Sequence, residues 1–189
     1  AASTSELVYE LFKANKIKIN KRMANAILAG ISTDTGNFIF PATSSQTIKI
    51  AADMLSRGAS LPRIIERAWR NKSLAALKIW GKAMSNLKIN KKYNLAFTVL
   101  SQNDITAAGI SEDELEGIAG FLSNMQDAGA IMLLSEQADG SIKGSLRATR
   151  VDIDVSRLAR AMGGGGHSKA SGFVIEGKLE KTEKGWKVA

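Results

Sequence analysis

Gly163-Gly164-Gly165-Gly166-His167 is the stretch that decides how the C-terminal half of this chain is organised. A helix-like pattern over 151–162 precedes it, and a strand-like pattern begins at Phe173. Each glycine lowers the stability of a folded segment by roughly 0.5–1 kcal/mol relative to alanine, because it loses more backbone entropy on folding. Four glycines in succession therefore indicate a structural or functional requirement. Consecutive glycines let backbone N–H groups surround an anion, and His167 and Lys169 would add donors at the rim. The run predicts a phosphate-binding loop, since a flexible linker would be longer and mixed with serine.

The composition favours a folded protein with an anionic partner. Hydrophobic residues make up 44% of the 189 residues, enough for one large or two small cores. The absence of cysteine excludes disulfides, thiolate zinc sites and cysteine nucleophiles, and it fits a cytoplasmic location. A formal net charge of +8 favours a nucleotide or nucleic acid, although the lysines are scattered as on an ordinary solvated surface. No apolar run approaches the length of a membrane span, so no membrane partner is expected.

The first half of the sequence predicts helices. Ser3 and Glu6 form a capping-box pattern. The helix that follows should have one apolar face, made of Leu7, Val8, Leu11 and Phe12. A second helix is expected from Lys21 to Ala29, with Gly30 as its C-terminal stop. Three further helices are expected: one after Ser44, one that begins near Pro62 and one over 77–87.

The second half predicts a mixed sheet. Asp139-Gly140 is a two-residue hairpin signal between strand patterns, and a final turn is expected at Lys184-Gly185. The order strand, helix, hairpin, helix, strands implies one sheet covered by two helices. The fold class is therefore α/β, with a helical segment followed by a mixed β-sheet. The elements behind this order are a strand at 95–99, a helix after Ser111, a hairpin of 131–137 and 141–147, the helix at 151–162 and strands from Phe173.

Two further positions could carry chemistry. Asp34, in the stretch Thr33-Asp34-Thr35-Gly36-Asn37-Phe38 between two helices, could present an oxygen to a hard divalent cation. Asp-Thr-Gly is equally a common turn composition, because aspartate bonds its own backbone there. Arg147, at the end of a predicted hairpin strand, could hold a phosphate with two parallel hydrogen bonds, and an ordinary surface arginine is the alternative.

Four segments together resemble the DHH–DHHA1 phosphoesterase family: 3–8, 30–38, 145–147 and the glycine run leading into Ala170-Ser171-Gly172-Phe173. The similarity spans nearly the whole chain and is greatest to the branch of bifunctional oligoribonucleases and phosphoadenosine phosphate phosphatases (nanoRNases). The resemblance implies a manganese-dependent phosphoesterase that hydrolyses short oligoribonucleotides or nucleotides. It also implies a role for seven residues: Asp34 as a metal ligand, and Arg147, Gly163, Gly164, Gly165, Gly166 and His167 as the groups that bind the substrate.

The resemblance further implies a domain organisation, with 1–70 as the end of a DHH domain, 71–90 as a helical connector and 91–189 as a DHHA1 domain. The Asp-His-His metal motif that names the family is absent, and His167 is the only histidine. One carboxylate offers too few oxygens for two metal ions. We therefore expect a C-terminal part of a longer enzyme, inactive by itself, whose partner is the missing N-terminal DHH domain, with a homodimer as a possible assembly.

Other functions remain open at this point. DHHA1-like domains also accompany alanyl-tRNA synthetases, so a non-catalytic nucleic-acid-binding module is one alternative. A fragment of a cyclic-dinucleotide phosphodiesterase or of a RecJ-like exonuclease is another. A structural domain whose glycine run binds nothing is the third.

Overall fold

Four helices form the N-terminal part of the computed structural model, which describes residues 1–69, 72–182 and 185–189. They belong to a first unit of residues 1–71, and residues 72–189 form a second unit. Leu28, Ile31 and Met54 are fully buried in the core of the first unit. The helices are α1 (Thr4–Ala14), α2 (Lys21–Asp34), α3 (Ser45–Ser56) and α4 (Leu61–Trp69).

The buried face of α1 differs from the apolar face that the sequence predicted. Glu6 and Tyr9 are the buried residues of this helix. Leu7 and Leu11 are 60% and 58% exposed. The Tyr9 hydroxyl donates to Asp53 of α3 at 3.0 Å, so a polar contact links α1 to α3. The prediction was therefore wrong for Leu7 and Leu11, whereas Phe12 does pack against the core.

The start of α1 is capped with different partners from those of a standard capping box. The Ser3 hydroxyl accepts from the Ser5 N–H at 3.1 Å rather than from the N–H three residues on. The Glu6 carboxylate does reach back, but it accepts from the Ala2 N–H at 3.2 Å. It also accepts from the Thr47 hydroxyl at 2.7 Å, which ties the cap to α3. Glu6 thus serves both as a cap and as a buried link between helices.

Gly30 lies inside α2 and does not end it. A Cβ at Gly30 would lie 2.1 Å from the Ser5 hydroxyl oxygen, so the glycine permits the close approach of α1. The helix continues to Asp34 and is followed by Gly36, which has the left-handed φ of +56° that commonly follows a helix end. The predicted stop at Gly30 was wrong, because a glycine required for packing and one required for termination look alike in the sequence.

The second unit contains a six-stranded sheet in the order β1-β2-β3-β4-β6-β5. Strands β2 and β3 are parallel, and the other neighbouring pairs are antiparallel. The predicted α/β class with a mixed sheet is confirmed. The strands are β1 (Lys88–Asn90), β2 (Leu95–Leu100), β3 (Ala130–Glu136), β4 (Ser141–Ala148), β5 (Gly165–Gly166) and β6 (Ala170–Glu176), and a separate hairpin consists of β7 (Leu179–Thr182) and β8 (Gly185–Val188).

The two hairpin turns of the prediction have different outcomes. The hairpin β3–β4 is confirmed, but its closing hydrogen bond joins the Gln137 N–H to the Ser141 carbonyl at 2.8 Å. Three residues therefore lie inside the turn instead of two, with Gly140 at φ +87°. The final turn at Lys184-Gly185 lies partly outside the described residues, because Lys184 is not among them.

Both faces of the sheet are covered over part of their area. Against one face pack α5 (Leu74–Ser85), α6 (Gln102–Ala108), the 3₁₀-helix Glu112–Leu115 and α7 (Ile118–Leu122). Against the other pack α8 (Ser156–Ala161) and the β7–β8 hairpin. The sheet thus has more covering elements than the two predicted helices, and α5, assigned from the sequence to a connector, belongs to this unit.

Candidate functional site

The glycine run ends α8 with a Schellman motif. The Gly163 N–H donates to the Arg160 carbonyl at 3.1 Å, and the Gly164 N–H donates to the Ala159 carbonyl at 2.8 Å. Gly163 has a φ of +76°, which glycine adopts without strain. These two N–H groups are already used by the helix. The predicted cradle of consecutive free N–H groups is therefore wrong for Gly163 and Gly164.

Gly165 and Gly166 form the edge strand β5, which pairs with β6. A Cβ at Gly164 would lie 2.1 Å from the Gly172 carbonyl oxygen. A Cβ at Gly166 would lie 2.6 Å from the Ser171 Cα, and the φ of Gly166 is +130°. The close pairing of the run with β6 thus explains the glycines at 164 and 166, as the helix end explains Gly163.

Gly165 has no such explanation within the fold. A Cβ at this position would meet nothing within 4 Å, and its φ lies outside the left-handed range. The residue is exposed. A methyl group at Gly165 would therefore obstruct only what approaches from outside the described residues. The fold therefore does not require glycine at this position, and the backbone of Gly165 is accessible from outside.

Cross-strand pairing brings Arg147 and His167 into one row of the sheet. Arg147 on β4 is the partner of Ala170 on β6. Ala170 in turn exchanges two backbone hydrogen bonds with His167, at 2.8 and 3.2 Å. Neighbouring strands are about 4.8 Å apart, so the Cα atoms of Arg147 and His167 are separated by about 10 Å.

The adjacent row consists of Ser145, Gly172 and Gly165, which are partners across β4, β6 and β5. Cross-strand partners share a face of a sheet, and residues two apart on a strand share it as well. Arg147 and Gly165 are therefore on the same face. The structure thus brings together three site residues that the sequence could only suggest separately.

Arg147 borders a groove of about 370 Å³ between the strands β3–β4 and the segment of the 3₁₀-helix and α7. Its guanidinium donates to the Leu146 carbonyl at 2.9 Å, which uses part of its donor capacity. Burial lowers the pKa of Arg147, and the nearby charge of Glu116 opposes this shift. Arginine nevertheless stays protonated in proteins, so Arg147 is a half-buried cation with donors to spare.

Lys169 and His167 were both predicted to donate hydrogen bonds at the rim of the glycine loop, but the structure gives them different roles. The Lys169 ammonium donates to the carbonyls of Arg150 and Val151 at 2.7 and 2.6 Å and to that of Ile153 at 3.3 Å. It organises the turn before α8, and the predicted rim donor is therefore a structural residue. This turn also explains why the helix expected over 151–162 begins only at Ser156. The exposed imidazole of His167 makes no hydrogen bond with the described residues and is free to contact a ligand.

Asp34 belongs to the first unit and is the last residue of α2, rather than a loop residue as predicted. It is exposed and has no hydrogen-bond or ion-pair partner within the described ranges. The C-terminal end of a helix disfavours a negative charge by about 0.3–1 kcal/mol, so a cation beside Asp34 would be favoured. A left-handed turn follows it, with φ values of +56°, +58° and +70° at Gly36, Asn37 and Phe38.

The donor set around Asp34 does not fit a pair of manganese ions by itself. Within residues 1–69, 72–182 and 185–189, no group of three or more His, Asp and Glu side chains could hold a metal ion. Hard divalent cations require about six oxygen ligands, of which Asp34 offers one carboxylate. The described residues therefore do not form a two-metal centre by themselves.

None of the helices in the described part of the chain combines the length and the apolar character that a bilayer requires.

The mixed sheet, its covering helices and the glycine edge strand define a DHHA1 domain. The family model of the DHHA1 domain matches residues 81–187, more than half of the sequence, and the chain belongs to this family. The resemblance drawn from the four sequence segments is thereby confirmed.

Particular relatives agree with this classification. The chain is 30% identical over 178 residues to the bifunctional oligoribonuclease and PAP phosphatase NrnA of Bacillus subtilis (strain 168), covering 93% of this chain and 55% of that protein. It is 26% identical over 176 residues to NrnA of Thermus thermophilus, with coverages of 93% and 52%. An exopolyphosphatase-related protein of Bacteroides fragilis has a similar structure, with a TM-score of 0.85, 29% identity and coverages of 94% and 53%. The chain spans about half the length of the curated relatives it matches.

Proposed function

We propose that this chain carries the substrate-binding half of a manganese-dependent phosphoesterase that hydrolyses short oligoribonucleotides or nucleotides. Residues 1–70 would be the end of a DHH domain, and 91–189 would be the DHHA1 domain that binds the substrate. The observation that carries the proposal is the convergence of Arg147, His167 and Gly165 on one patch of the sheet. The NrnA relatives are named as oligoribonucleases and PAP phosphatases, which supports this class of substrate.

The three residues have complementary roles toward a phosphate. Arg147 offers a planar pair of donors that matches two phosphate oxygens, and its partial burial strengthens the interaction by lowering the local dielectric. His167 offers a ring N–H from the end of the same row. Gly165 lets the phosphate or its ribose approach the backbone of β5 without a side chain in between.

Hydrolysis would need groups that the described residues do not provide. Asp34 would contribute one carboxylate to a manganese centre, and its other ligands would come from a DHH domain outside this sequence. The chain alone would then bind substrate without turning it over. A cytoplasmic location and a homodimer stay predictions.

The first experiment uses the fact that the sequence contains one histidine, whose imidazole NMR signals need no assignment. The full chain is titrated with AMP, and the variants Arg147→Met and Gly165→Ala are compared with Gly81→Ala. Gly81 is a matched control because a Cβ there also meets nothing within 4 Å and its φ is outside the left-handed range.

We expect saturable shifts of the His167 signals, with clearly weaker affinity in Arg147→Met and Gly165→Ala and wild-type affinity in Gly81→Ala. Absence of saturable binding to the wild-type chain would contradict the proposal. Equal affinities of Gly165→Ala and Gly81→Ala would show that β5 does not contact the nucleotide.

A non-catalytic nucleic-acid-binding module is the second candidate. It is favoured by the formal net charge of +8, which suits a polyanion. It predicts tight, strongly salt-dependent binding of structured RNA such as tRNA and no saturable binding of AMP. The same titration, repeated with tRNA, therefore separates the two functions.

A further inference from the structure

Two more polar side chains lie on β4 beside Arg147 and are not explained by the fold. Lys143, Ser145 and Arg147 alternate along the strand with Ile142, Gly144 and Leu146, which are buried on the opposite face. All three polar residues line the groove of about 370 Å³. The sheet therefore presents a line of three hydrogen-bond donors along one strand.

This part of the sheet face is open. Lys143 is exposed, and Val174, its partner on β6, is 60% exposed. Neither the Lys143 ammonium nor the Ser145 hydroxyl has a hydrogen-bond or ion-pair partner among the residues that the structure describes. A charge without a partner beside a groove is available to an anionic ligand.

The spacing of the three donors suits a phosphodiester chain. Residues two apart on a strand are separated by about 6.6 Å, comparable to the distance between successive phosphates of an extended single strand. Arginine can donate two parallel hydrogen bonds, serine can donate one from its hydroxyl, and lysine carries a compact positive charge. All three groups commonly donate to phosphate.

The opposite wall of the groove carries negative charge, which determines how an anionic ligand would lie in the groove. Asp113 and Glu116 line the groove from the side of the 3₁₀-helix. Their carboxylates disfavour a polyanion on that wall, whereas Lys143 and Arg147 favour it along β4. The charges thus direct an oligonucleotide along the strand and not across the groove.

We infer that Lys143 and Ser145 form a second phosphate subsite, which holds a phosphate further along an oligonucleotide whose terminal phosphate is at Arg147. This inference rests on the proposed function, because it extends the same site. It means that the chain distinguishes an oligonucleotide from a mononucleotide by contacts on β4.

The test compares AMP with the 5′-phosphorylated trinucleotide pApApA on the full chain. Affinities are measured between 50 and 200 mM salt for the wild type, Lys143→Gln and Lys88→Gln. Lys88 is the matched control, since it is an exposed lysine on β1, at the other edge of the same sheet. Thermal unfolding of each variant verifies that the exposed substitutions leave the fold unchanged.

We expect Lys143→Gln to bind AMP as the wild type does and to bind pApApA several-fold more weakly. For pApApA, the slope of log affinity against log salt concentration should decrease in magnitude by about 0.7, the value for one phosphate contact of a single strand. Equal affinities of Lys143→Gln and Lys88→Gln for pApApA would overturn the inference while leaving the proposed function intact. Failure of the wild type to bind AMP and pApApA would overturn both.

Discussion

His167 lies in the same cross-strand row as Arg147, two strands away, with Ala170 between them. Nineteen residues lie between them in the sequence, yet the hairpin of β5 and β6 brings them to one end of the sheet. Their Cα atoms are therefore about 10 Å apart. This relationship gives the candidate site its geometry.

Arg147→Lys should weaken AMP binding about tenfold. Lysine keeps the charge, but it cannot make two parallel hydrogen bonds to one phosphate, and hydrogen bonds to charged groups contribute about 1.5–3 kcal/mol. Isothermal titration measures the loss, with Arg150→Lys as a control because the Arg150 guanidinium is paired with Asp152. An unchanged affinity in Arg147→Lys would mean that Arg147 acts only through its charge.

Gly166→Ala should destabilise the second unit by about 1–3 kcal/mol, whereas Gly165→Ala should leave its stability unchanged or slightly higher. The reason is that Gly166 has a φ of +130° and would place a Cβ against Ser171, while Gly165 has neither constraint. Urea denaturation followed by circular dichroism compares the two variants. Equal stabilities would contradict the pairing of β5 with β6.

Gly30→Ala should not give the stabilisation of up to about 1 kcal/mol that alanine normally brings to a helix interior. The new Cβ would lie 2.1 Å from the Ser5 hydroxyl oxygen, and such overpacking typically costs about 1–3 kcal/mol. Gly81→Ala in α5 has open space and should show the gain. Thermal unfolding of Gly30→Ala with and without Ser5→Ala completes the test, because removing the hydroxyl should restore part of the stability. A full gain in Gly30→Ala alone would contradict the close contact of α1 and α2.

The hydrogen bond between Tyr9 and Asp53 should stabilise the first unit only within a pH window. Burial raises the pKa of Asp53, but hydrogen bonds from Arg57 and Tyr9 outweigh this and hold that pKa below its ordinary value of 3.8. Burial, together with the bond to Asp53, raises the pKa of Tyr9 above 10.0. The contribution of Asp53 is therefore present above pH 3.8 and is lost as the pH falls through its lowered pKa. That of Tyr9 is present below pH 10.0 and is lost as the pH rises through its raised pKa.

The free energy of unfolding of the wild type should exceed that of Tyr9→Phe by about 1 kcal/mol at neutral pH. Urea denaturation of both proteins at a series of pH values measures this difference. It should shrink in strong acid, where the Asp53 carboxylate is protonated in the folded state. A difference that stays constant down to the lowest pH would show that the two side chains are not coupled.

Much of the fold could be predicted from local patterns. The hairpin β3–β4 and the mixed sheet followed from alternation and turn residues, because side chains of a strand point alternately to its two faces. The errors arose where a residue type has two uses. Gly30 was interpreted as a helix stop although it is a packing glycine. The apolar pattern of Leu7 and Leu11 was assigned to a core that Glu6 and Tyr9 occupy.

The candidate site was predicted as a set of residues but not as an arrangement. Arg147, His167 and the glycine run were identified from motifs, while Lys143 and Ser145 were not singled out as phosphate donors. Polar residues alternate with apolar residues and glycine along β4, and this pattern could have indicated them. It points to a ligand-binding face only once the structure shows that this face of the sheet is open. Asp34 keeps its place in the motif, but its position at a helix end was visible only in the structure.

The amino-acid sequence by itself determined the α/β class and the family, because motif order and hydrophobic period are local properties of the chain. Only the tertiary structure shows which glycine of the run is not required by the fold and has an accessible backbone. Gly163, Gly164 and Gly166 are required by a helix end and by close strand pairing, and Gly165 is not. The four are identical as letters, and they differ only in what a Cβ would meet, which depends on strands that lie elsewhere in the sequence.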